Sequence, residues 1–127
     1  SESGVIKLGD FGLAVQLEHS CSKRNTTCGT SMYMGPEVYD GGACLKSDVW
    51  SLGMSIIEMA ESKNPFADCT SLQVMKKVCF GEPPCLTSSE WSGNMVDFVK
   101  RCLVKDVNER ASVDDLLKVS VVVANEG

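Results

Sequence analysis

This chain has no excess of basic residues and no long apolar run, and each absence narrows its function. Twelve Lys and Arg against seventeen Asp and Glu leave a net charge of -5, so no basic face is expected to neutralise a phosphate backbone, and nucleic acid is not an expected partner. No apolar stretch approaches the ~20 residues that cross a bilayer, and the first twenty residues lack the basic start and apolar core of a signal peptide. No membrane partner is therefore expected, and the chain reads as cytoplasmic. The seven cysteines (Cys21, Cys28, Cys44, Cys69, Cys79, Cys85, Cys102) are odd in number and scattered, with no Cys-x-x-Cys pair or histidine cluster. Neither a disulfide framework nor a zinc site is expected; they read as small apolar fillers in a reducing compartment.

What is present is ordinary for a globular domain: 127 residues, 43% hydrophobic and 23% charged. A chain of this size can bury about 65 to 70% of the surface its unfolded form exposes, enough for one core. It opens at Ser1, inside what reads as a strand already in progress, so a fragment of a longer protein is expected.

Val5-Ile6-Lys7-Leu8, closed by Gly9, and Leu13 to Leu17 are β-prone runs that predict a short β corner. From His19 to Thr30 no apolar period exists, and the composition predicts a long loop. A helical pattern begins at Ser47. Ser51, Ser55, Glu58 and Ser62 form a narrow polar stripe on an otherwise apolar segment, which predicts a central buried helix over 47–61. Ser47 is its expected cap, Asp48 sits in its first turn, and Asn64-Pro65 ends it. Thr70-Ser71-Leu72-Gln73 is a capping box opening a helix with Leu72, Met75, Val78 and Cys79 on one face. Met95, Phe98, Val99 and Cys102 mark a third helix, and Ser112-x-x-Asp115 opens a fourth through Leu116 and Leu117.

Asp10-Phe11-Gly12 alone carries little weight. In order after it stand Gly29-Thr30, Tyr33-Met34-Gly35-Pro36-Glu37, Ser47-Asp48-Val49-Trp50-Ser51-Leu52-Gly53 and Arg110. In type, order and spacing these residues resemble the signature of eukaryotic protein kinases over essentially the whole chain. Lys23 to Thr26, Ile57 to Glu61 and Asp97 to Lys105 resemble the sterile-twenty group, particularly Hippo-like germinal-centre kinases. The resemblance implies a mainly α (α+β kinase) fold: a C-lobe with the β corner flanking Asp10-Phe11-Gly12, residues 10–37 as activation segment and 47–122 as helical lobe.

It also implies transfer of the ATP γ-phosphoryl group to Ser or Thr of protein substrates, in a signalling cascade with an upstream kinase. A dimer could form through regions outside the chain. Phosphoryl transfer gathers negative charge, and a carboxylate holding magnesium (Mg2+) against the phosphates neutralises it; Asp10 resembles that carboxylate, within an ATP-contacting Asp10, Phe11 and Gly12. Thr30 resembles the Thr that shapes the substrate pocket. Thr26 matches the activation-loop phosphoacceptor, with Thr27, Ser20 and Ser22 as lesser candidates. Glu37 and Arg110 resemble a buried structural ion pair, and Asp48 the carboxylate that holds the catalytic loop from beneath.

Three departures stand out. Gly35 replaces the usual Ala, Ser31-Met32 the usual Pro-aromatic pair, and Val119-Ser120-Val121 the usual His-Pro-Phe. No Gly-rich loop, ATP-binding Lys, partnering Glu or His-Arg-Asp catalytic loop occurs here, so the catalytic Asp is expected upstream and the chain alone is expected to be inactive. The alternative reading is a pseudokinase or scaffold that uses the lobe to bind proteins.

Overall fold

The structure is a computed structural model that describes residues 31–118. The expected β corner, the loop before Thr30 and the segment from Val119 lie outside the described residues, which form helices and connecting loops. A 3-10 turn at Ser31–Tyr33 precedes helices α1 (Pro36–Tyr39), α2 (Leu45–Glu61), α3 (Ser71–Phe80), α4 (Gly93–Cys102) and α5 (Val113–Leu117). This mainly helical arrangement agrees with the expected lobe.

The longest helix, α2, forms the middle of the packing. Its Val49, Trp50, Met54 and Ile57 are at most 2% exposed and share one core with Phe66, Val74, Val78, Phe98, Val99 and Leu116. Burying each such side chain contributes about 1.5 to 3 kcal/mol, which outweighs what Ser47, Ser51, Ser55 and Gly53 of α2 cost in helix propensity. Where α4 crosses α2, Gly53 makes the contact possible. A Cβ there would lie 2.7 Å from Cys102 Cβ and 2.9 Å from the Leu103 side chain.

Two expectations for α2 are corrected. The helix starts two residues earlier, at Leu45, with Cys44 as N-cap, and Ser47 is the third helical residue, whose hydroxyl accepts from the Cys44 N–H at 2.9 Å. Nor is α2 buried all round: Leu45, Leu52 and Met59 are exposed, because among the described residues nothing packs on that side. Its end comes at Ser62, in the left-handed region (φ 59°), and Asn64 Oδ1 then turns the chain by accepting from Phe66 N–H.

The capping box predicted at Thr70 is present, with Thr70 and Gln73 satisfying each other's backbone N–H groups, and so is the one joining Ser112 and Asp115. The inward face of α3 is the expected one only in part: Val78 turns inward as expected, but Val74 takes the place expected for Leu72. Val74 and Val78 are buried, whereas Leu72 is 57% exposed and Met75 and Cys79 are half-buried. On α4, Phe98, Val99 and Cys102 point inward as predicted, and on α5 Leu116 is buried while Leu117 is exposed. The filler reading of the cysteines holds for Cys102, whose thiol burial pushes up to about 12; Cys85 is exposed, and Cys44, Cys69 and Cys79 are intermediate.

Candidate functional site

The polar stripe of α2 is where the segment after Thr30 is fastened. Ser51 Oγ donates to the Tyr33 carbonyl at 2.8 Å, and the Tyr33 hydroxyl donates to Glu58 Oε2 at 2.6 Å. Ser55 instead bonds back to the Ser51 carbonyl. The Glu58 hydrogen bond, more than burial, pushes the Tyr33 phenol above its usual range. One turn further along, the Tyr39 hydroxyl donates to the Ser31 carbonyl at 3.0 Å. The segment from Ser31 to Tyr39 is thus tied to the central helix and closed on itself.

Beneath it lies the Glu37–Arg110 pair, whose members are 73 positions apart in sequence. Arg110 Nη2 reaches Glu37 Oε1 at 2.8 Å and Nη1 reaches Oε2 at 3.0 Å, a bidentate fork. The guanidinium, wholly buried, also donates from Nε to the Val104 carbonyl and from Nη1 to the Lys46 carbonyl, both at 2.8 Å, and lies over the Trp50 ring at 5.2 Å. Burial alone would raise the Glu37 carboxyl. The Arg110 hydrogen bonds, the Ser47 hydroxyl at 2.7 Å and the attraction of the cation outweigh it and hold the carboxyl below the usual range. Ser47 therefore both receives the Cys44 N–H and donates to Glu37, which explains its burial inside the first turn of α2.

Gly35, one of the departures noted in the sequence, bears directly on this pair. A Cβ at this position would lie 2.8 Å from both Glu37 carboxylate oxygens, so the glycine lets the carboxylate fold close against the backbone that carries it. Pro36 then starts α1 where its missing N–H costs nothing.

Asp48 is an exposed residue in the first turn of α2, and among the described residues no hydrogen bond reaches its carboxylate. Asp10, Phe11, Gly12, Thr26, Thr27 and Thr30 lie outside the described residues. Among the described residues no cluster of His, Cys, Asp and Glu could hold a metal ion, and no helix is long and apolar enough to cross a membrane. The sequence reading missed Tyr33, Glu58 and Tyr39 as ties, although the polar stripe already pointed to a polar partner for α2.

Taken together, the described residues form a helical lobe built round α2, with an acidic residue after Pro36 clamped by a distant arginine. A family model of the protein kinase domain matches residues 1–122, and the chain belongs to that family. Its membership implies phosphoryl transfer to protein substrates. Protein kinases in general use ATP and magnesium for that reaction.

Proposed function

We propose that the chain is the C-terminal part of a serine/threonine protein kinase of the sterile-twenty type, working in a cytoplasmic signalling cascade. In this reading residues 10–37 are its activation segment and 47–122 its helical lobe. The observation that carries the reading is the fastening of Ser31 to Tyr39 onto α2 through Tyr33, Ser51, Glu58, Glu37 and Arg110. Phosphoryl transfer asks the protein mainly for positioning and charge stabilisation, and a substrate segment lying beside Thr30 needs a platform that does not shift.

The residues then take the following roles. Asp10 holds magnesium, which neutralises charge on the ATP phosphates, and Phe11 and Gly12 shape the backbone around it. Thr30 borders the substrate hydroxyl, and Thr26 receives the activating phosphate. Asp48 holds the catalytic loop, which carries the catalytic base and lies outside these 127 residues; its exposed carboxylate is free to accept the N–H groups of that loop. The exposed Leu45, Leu52 and Met59 side of α2 gives the same upstream portion an apolar seat.

Specificity for the acceptor is tested by incubating the parent protein with radiolabelled ATP and matched peptides carrying Ser, Thr or Tyr. Label should enter the Ser and Thr peptides and leave the Tyr peptide blank. Transfer to the Tyr peptide alone would overturn the assignment.

A further inference from the structure

The outer face of α3 carries a row that the phosphotransfer reading does not use. Leu72, Lys76 and Phe80 follow at steps of four, so they form one ridge along the helix. Leu72 is 57% exposed and Phe80 is 85% exposed, the most open large apolar side chain among the described residues. Residues so open gain nothing from the core, where Val74 and Val78 already supply the inward face. At the far end of the ridge the Lys105 ammonium donates to the carbonyls of Cys79 and Gly81, at 2.8 and 3.0 Å, and so sits beside the Phe80 backbone. A second cation, Lys76, lies between the two apolar residues and makes no hydrogen bond or ion pair among the described residues. The carboxylate nearest in sequence, Glu82, comes after the helix has ended at Gly81.

From this arrangement we propose that the Leu72–Lys76–Phe80 ridge is a docking surface for an acidic peptide segment of a protein partner, with apolar residues flanking its carboxylates. Charge complementarity selects that occupant: the chain as a whole carries -5, yet this ridge presents an ammonium unpaired among the described residues between its apolar anchors, and the carbonyl-bound Lys105 ammonium adds positive charge at its end. An aromatic side chain standing free on a helix is the kind of group that dominates peptide interfaces once covered. The neighbouring lysine then sets which partners are accepted, since a basic segment would meet like charge.

The test is a selection of random twelve-residue displayed peptides on the full chain, followed by binding measurements on the enriched peptides. Peptides pairing Asp or Glu with Leu, Ile or Phe should dominate. Phe80→Ala and Lys76→Glu should each weaken their binding about tenfold or more. Both positions are exposed, so an unchanged melting temperature shows that the variants fold. Enrichment of basic or purely apolar peptides overturns the proposal, and so does equal binding by wild type and both variants. Sedimentation of the chain alone supplies a further outcome: self-association lost in Phe80→Ala would give the ridge to a second copy and overturn the acidic partner.

Discussion

Arg110 shows how much one buried side chain can hold. Its guanidinium joins Glu37 of the segment after Thr30, the start of α2 through the Lys46 carbonyl, and the loop after α4 through Val104. Truncating one member of such a pair leaves the other charge buried and unpaired, at a cost of about 3 to 5 kcal/mol. Arg110→Ala should therefore unfold at clearly lower denaturant than wild type. Lys63→Ala is the control, because the Lys63–Asp68 contact, though only 2.6 Å long, is solvent-exposed on both sides and contributes little. Chemical denaturation of the two variants decides, and equal midpoints would contradict the account. The pair was legible in the sequence only through family resemblance; nothing local in Pro36-Glu37 or Glu109-Arg110 says that residues so far apart meet.

Among the elements, α2 was the most legible, because an apolar segment with a narrow polar stripe admits few structures. Its start was misread for a physical reason. Ser47 has the right chemistry for a cap, but its hydroxyl satisfies Cys44 N–H from inside the helix while its proton goes to Glu37. The face of α3 was misread because Leu72 and Val74 both fit a helical period, and only the position of the core decides which turns inward. The four-residue α1 has no period to read at all. Close packing of α2 on α4 rests on Gly53. Adding one methyl in Gly53→Ala forces Cys102 and Leu103 outward and should cost about 1 to 3 kcal/mol, seen as a lowered melting temperature with unchanged helical circular dichroism below the transition. A variant as stable as wild type would show that the two helices can part without loss.

For the whole molecule, the proposed function makes regulation and catalysis depend on parts beyond the fastened platform. Thr26 lies four residues before Thr30, with Lys23 and Arg24 just ahead of it. A phosphate there adds about -1.5 to -2 charges and can make one to three charge-assisted hydrogen bonds, enough to favour one loop arrangement. In the parent protein, Thr26→Ala should show low activity that an upstream kinase cannot raise, while Thr27→Ala stays activatable. A Thr26→Ala parent as activatable as wild type would assign the switch elsewhere.

The central claim of the proposed reading is that this chain supplies the magnesium carboxylate and the substrate platform of a protein kinase, while the catalytic base lies outside these 127 residues. Its most direct test is the rate of phosphate transfer from radiolabelled ATP to a generic basic protein substrate. Wild-type parent should turn over, its Asp10→Ala variant should not, and the isolated chain should show no transfer above its own Asp10→Ala variant. An Asp10→Ala parent as fast as wild type, or an isolated chain that turns over, would contradict it.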